Sequence, residues 1–63
     1  MTGKEIQERI IKLGQFENKT ATEIASLINC SIQKTNAMCL SLEKYHYYLK
    51  SSRKNSRKYY STT

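Results

Sequence analysis

Residues Thr20 to Ser31, TATEIASLINCS, decide how this chain folds. Thr20 and Glu23 form a T-x-x-E capping box, in which each side chain satisfies a backbone N–H that a helix start leaves free. The apolar residues that follow, Ile24, Ala25, Leu27 and Ile28, make a short helix over 21–28. Asn29 tolerates the left-handed conformation that ends many helices. Ser31 is a good cap for another helix. Residues 29–31 therefore separate two helices, which is the length of a helix-turn-helix connection.

Toward the N-terminus, Thr2 and Glu5 repeat the capping box. Ile6, Ile10 and Leu13, with Phe16 beyond, then share one stripe, widened by Ile11. Gly14 is a reasonable terminator, so a first helix is expected over 3–14. A polar connection, Gln15 to Lys19, leads to Thr20. On the other side, a third helix is expected over 32–45. Thr35, Met38, Cys39 and Leu42 recur at i, i+3, i+4, i+7 and would face inward together. The opposite face carries Gln33, Asn36, Ala37, Leu40 and Lys44. Amide side chains in such a setting can bond the edge of adenine bidentately. Leu40 is the exception on this face. It fits a thymine methyl or a partner, or else the helical phase is off by one residue. Lys34, at the third helical position, opposes the helix macrodipole unless a phosphate binds there; the alternative is an ordinary exposed lysine.

Charge divides the chain. Of its 63 residues, 11 are Lys or Arg and 5 are acidic, all glutamate, for a net charge of +6. Through Glu43 the two signs balance. The whole excess lies in residues 44–63, on Lys44, Lys50, Arg53, Lys54, Arg57 and Lys58, and all 5 tyrosines lie there too. A disordered basic tail usually lacks aromatics. This end is read instead as a β-hairpin over about 47–61, with strands at Tyr47–Lys50 and Arg57–Tyr60. Ser51 to Ser56 would be a turn longer than two residues, with Arg53 and Lys54 at its tip. The tyrosines would pack on the helices with their hydroxyls wet. On this reading the three helices survive removal of the chain beyond Ser52.

Several function classes are excluded. A chain this short supports one small core and no deep cleft. It has no stretch approaching the ~20 apolar residues of a membrane span and no signal-peptide pattern, so a cytosolic protein is expected. Cys30 and Cys39, with His46 alone nearby, show no metal-ligand spacing. Both thiols are expected to be buried and reduced. With no Asp, one His and no Gly-rich loop, there is no nucleophile with a base and an orienter. No enzymatic activity, metal, cofactor or small-molecule ligand is expected.

The order T-x-x-E-I-A in residues 20–25, a tight turn before Ser31, Thr35, Cys39 and a closing Leu42-Glu43, then an Arg- and aromatic-rich strand pair in residues 48–60, resembles the winged helix-turn-helix family of small DNA-binding regulators. The resemblance spans nearly the whole chain. It implies a mainly α fold of three helices with a small β-hairpin, the wing. That family usually has Gly where this chain has Asn29, and again between the third helix and the wing, where it has His46. The second departure leaves the end of helix three open. His46 is read as a partly buried structural residue, with a pH-sensitive phosphate contact as the alternative.

The resemblance also implies duplex DNA as the partner, with helix three in the major groove and the wing on the backbone or minor groove. Gln33, Asn36 and Ala37 would read bases. Lys34, Lys44, Arg53, Lys54, Arg57 and Lys58 would sit on phosphates, beside the Ser31 cap. One module buries only ~600–1,000 Å² on DNA, so tight binding would call for a homodimer or a paired site. No sensor domain follows the wing, so control would come through expression level, as suits a transcriptional regulator of a bacterium, phage or plasmid, associated with the nucleoid. Two other readings stay open. One is an adaptor or inhibitor that docks the basic hairpin on an acidic protein. The other is an RNA-binding protein with tyrosines on a strand stacking on bases.

Overall fold

The Thr20 capping box closes as its residues require. Thr20 Oγ1 accepts from the Glu23 N–H at 3.2 Å, and Glu23 Oε1 accepts from the Thr20 N–H at 3.4 Å. The structure, a computed structural model, describes residues 2–63. It contains α1 (Gly3–Lys12), α2 (Ala21–Ile28), α3 (Ile32–Lys44), β1 (Leu49–Lys54) and β2 (Arg57–Thr62). Three helices followed by an antiparallel hairpin give a winged-helix-like layout.

Two helices end slightly earlier than expected. α1 stops at Lys12 because Gly14, at φ +77°, turns the chain away, with Leu13 as the cap. α3 stops at Lys44, with Tyr45 as its cap. Asn29 takes the left-handed conformation, φ 55° and ψ 54°, and ends α2. Arg9 of α1 donates to the Ile28 carbonyl at 3.0 Å, so a cation meets the free acceptors at the C-terminus of α2.

The hairpin departs from the sequence reading. β1 runs on to Lys54 at the tip, β2 starts at Arg57 as expected and runs on to Thr62 at its far end, and the turn is only two residues, Asn55 and Ser56, at φ 52° and 64°. Two positive φ angles in a row are the pattern whose twist matches that of paired strands, and Asn accepts it readily. Arg53 and Lys54 therefore lie on β1 and not in the turn. The strand was hidden because Ser51, Ser52, Arg53 and Lys54 carry no alternation of apolar and polar residues, which the outer half of a hairpin exposed on both faces does not need.

The core is Ile6, Ile10, Ile24, Ile28, Cys39, Leu42, Leu49 and Tyr60, with Leu13, Phe16, Met38 and Tyr48 packed against it. Tyr60 is 1% exposed. Its backbone pairs with Lys19, N–H to carbonyl in both directions at 2.9 and 2.7 Å, and the Thr62 N–H reaches the Phe16 carbonyl at 2.9 Å. β2 thus joins the α1–α2 connection to the hairpin and supplies the largest buried side chain. Removing the chain beyond Ser52 would take away Tyr60 and this pairing, so the helices are not independent of the hairpin. Two local expectations also change. Cys30 is half-buried, although both thiols are free, and His46 is exposed. No helix among the described residues is long and apolar enough to cross a membrane.

Candidate nucleic-acid interface

Burial fixes the phase of α3. Thr35, Cys39 and Leu42 are 0%, 0% and 1% exposed and face the core, with Met38 half-buried beside them. The opposite side then presents Gln33, Ala37 and Lys44, all exposed, with Leu40 half-buried among them, and exposed Asn36 flanks the buried stripe. The Ser31 side chain caps α3, accepting from the Lys34 N–H at 3.3 Å, and both residues are exposed. α1 and α2 each carry a glutamate in the first turn, whereas α3 carries none. Nothing acidic there offsets the positive end of its dipole. Lys34, Ala37 and Met38 also meet Gly3 and Ile6 in a shallow apolar groove against α1.

The hairpin carries its cations in opposed pairs. Its register places Arg53 across from Lys58 and Lys54 across from Arg57. Directly opposite residues share a face of an antiparallel pair, and like charges there repel. Alternation along β1 puts Lys50 and Lys54 on one face, together with Arg57. Arg53 and Lys58 lie on the other, with Ser51 and Tyr60. Lys50 is exposed and belongs with this outer set, although the sequence reading left it out. Its signal was the even spacing Lys50, Ser52, Lys54, legible only once the strand is known to continue past Ser51.

Lys58 is the one cation of the set tied into the fold. Its Nζ lies 3.3 Å from Glu43 Oε1, and Ser51 donates to the other carboxylate oxygen. The Ser51 hydrogen bond, with Lys58 adding to it against the effect of burial, holds the Glu43 carboxyl below the usual carboxylate range. Burial works to lower the Lys58 pKa, but the neighbouring Tyr60 side chain and Glu43 outweigh it and leave the ammonium raised. Lys58 Nζ sits over the Tyr60 ring, 5.1 Å from its centroid, whereas the Tyr60 hydroxyl, buried, has no partner in bonding geometry. The ammonium therefore acts on the ring face.

The aromatic residues divide differently from the sequence reading. Tyr60 is buried, and Tyr59, on the opposite face of β2, is half-buried. Tyr45 and Tyr47, between α3 and β1, are each 76% exposed. Leu27 and Ile32, on either side of the α2–α3 turn, are also exposed, at 57% and 53%. The arrangement thus brings Gln33, Lys34, Asn36, Ala37 and Lys44 onto exposed α3 surface, places Arg53, Lys54 and Arg57 on the open hairpin, and turns Lys58 back to Glu43. No known protein family, curated protein or solved structure matches the chain.

Proposed function

We propose that this chain binds double-stranded DNA with α3 in the major groove and the hairpin along the backbone or minor groove, as a small transcriptional regulator in the cytoplasm. The observation that carries the reading is Lys54 directly across from Arg57 on the open hairpin, with Arg53 exposed beside the Glu43-paired Lys58. Repulsion between directly opposed cations weakens the free hairpin. A polyanion relieves it, because each phosphate neutralises a cation and releases a counterion. α3 adds a face of amide and small side chains, in Gln33, Asn36 and Ala37, suited to base edges. Phosphates would lie on Lys34, Lys44, Arg53, Lys54 and Arg57, and near the Ser31 cap. Lys58 would join them only by leaving Glu43. A single module of this size calls for a homodimer or a paired site for tight binding.

A second reading is favoured by the exposed Leu27 and Ile32, which lie outside the base-reading face and suit a protein contact. In that case the hairpin docks on an acidic protein surface. Strand tyrosines stacking on RNA lose support, because Tyr60 is buried and Tyr59 half-buried. Anisotropy titrations with random duplex DNA and single-stranded RNA, each at two salt concentrations, test the proposal. Duplex binding that weakens steeply with salt supports it. Absence of binding to either nucleic acid supports the protein-docking reading instead.

A further inference from the structure

The connection from α3 to β1 holds two large side chains that the fold does not use. Tyr45 and Tyr47 are each 76% exposed. Tyr47 stands at φ +53°, in the left-handed region, which a bulky L-residue enters only under strain and which glycine enters freely. The backbone around it is fixed from several sides. The Tyr48 N–H donates to the Leu42 carbonyl at 2.9 Å. The Thr63 hydroxyl donates to the carbonyls of Tyr47 and Tyr48 at 3.2 and 3.3 Å. The Thr63 N–H adds a bond to the Tyr48 carbonyl at 3.1 Å. A strained conformation is therefore imposed on a residue whose ring remains in water. Strain kept without a packing return is found chiefly at functional positions.

The surroundings specify the occupant. Lys44 and Lys50 flank the two tyrosines along the chain and are exposed, and no acidic residue follows Glu43, which is itself held by Ser51 and Lys58. Aromatic faces interleaved with cations suit bases on a phosphate backbone. The bases of an intact duplex are stacked on one another inside it, and a side-chain ring can stack freely only on unpaired ones. We propose that Tyr45 and Tyr47, with Lys44 and Lys50, form a stacking site for unpaired bases of a single-stranded DNA extension beside the duplex. The duplex half of this assignment rests on the proposed function; the stacking half rests on the tyrosines alone.

Three DNAs test it: a blunt duplex, the same duplex with a single-stranded extension, and the single strand alone. They are titrated against the full chain and against the variants Tyr45→Ala and Tyr47→Gly. The extension should tighten binding, and each variant should lose about tenfold on the extended duplex, the scale of one base–aromatic stack, with little change on the blunt one. Tyr47→Gly separates recognition from folding, because it removes the ring and the strain together. Its denaturation midpoint should rise or hold while its affinity for the extended duplex falls. Binding to the blunt duplex with no gain from the extension overturns the stacking site and leaves the proposed function standing. Binding of the single strand that both variants weaken, with no binding of the blunt duplex, supports the stacking site and overturns the duplex reading. No binding of any of the three overturns both.

Discussion

Lys58 on β2 turns back onto Glu43 near the end of α3, with its Nζ 3.3 Å from the carboxylate. This pair, with Ser51 on the second carboxylate oxygen, is the polar joint between the hairpin and the helix that carries the candidate base-reading face. It also withholds one cation from any phosphate.

Glu43→Gln should therefore have opposite effects on folding and on binding. The Glu43 and Lys58 side chains are 24% and 34% exposed, so the ion pair contributes at most about 1 kcal/mol, and the variant should lose no more than that. Duplex binding should tighten, and its salt slope should steepen by about one unit as Lys58 becomes free for a phosphate. Titrations across a salt series and a denaturant melt check both. The pH dependence follows from the two shifts. The folded state lowers the Glu43 pKa, so its contribution is present above the unfolded value of ~4.3 and lost as pH falls through the lower folded one. The folded state raises Lys58, so its contribution is present below ~10.4 and lost as pH rises through the higher folded value. Between those limits the joint stays closed, and the Glu43→Gln difference in stability should be flat with pH.

The two thiols should react differently. Burial pushes the Cys39 thiol up to about 11 even though nearby Lys58 pulls the other way, so almost none is thiolate at neutral pH. Cys30 is half-buried in the α2–α3 turn. An aromatic disulfide reagent should titrate one thiol in the native chain and two in denaturant. Cys39→Ser should also destabilise more than Cys30→Ser, by ~1–3 kcal/mol, because a hydroxyl at a fully buried site needs a partner. The reverse order in denaturant melts would contradict the phase of α3.

Thr35 makes the complementary case. Its side chain is 0% exposed, and its hydroxyl has no hydrogen-bond partner. An unpaired buried hydroxyl costs ~1–3 kcal/mol. Thr35→Val replaces it with a methyl group of the same shape and should raise stability by about 1 kcal/mol. A melt showing a loss would mean that a bound water satisfies the hydroxyl.

The legible parts of the fold were those with local chemistry. Thr20 with Glu23, Asn29 and Ser31 each act through backbone groups within a few residues, and the helices they bound formed where expected. The stripe of Thr35, Cys39 and Leu42 was legible because one side of α3 is wholly buried. The hairpin itself was legible from its β-prone runs, but its register and two-residue turn were not, since they depend on Asn55 and Ser56 adopting positive φ and on Tyr60 reaching Lys19 across the chain. The same long-range pairing hid the burial of Tyr60 and the turning of Lys58 toward Glu43. The backbone that favours glycine lies at a different position from the one the resemblance implied. The position that favours it is Tyr47, one residue beyond His46.

The sharpest division of roles is between Arg57 and Asn36. Arg57 is exposed on β2 and opposes Lys54, so Arg57→Ala removes a repulsion in the free protein and a phosphate contact in the complex. Stability should rise slightly while binding to every duplex weakens by a similar factor and the salt slope falls by about one unit. Opposite signs for folding and binding are what a cation retained for a polyanion should give. A cation retained for the fold would lose both together. Asn36 is exposed on α3, at the flank of the buried stripe of Thr35 and Cys39, and should act through sequence alone. Once a preferred site has been selected from random DNA, Asn36→Ala should cost ~1–3 kcal/mol on that site and little on random duplex, with the salt slope unchanged. Equal losses on both DNAs would assign Asn36 to the backbone and move base reading to Gln33 and Ala37. If neither variant alters DNA binding, the hairpin cations and the exposed Leu27 and Ile32 belong to a protein interface.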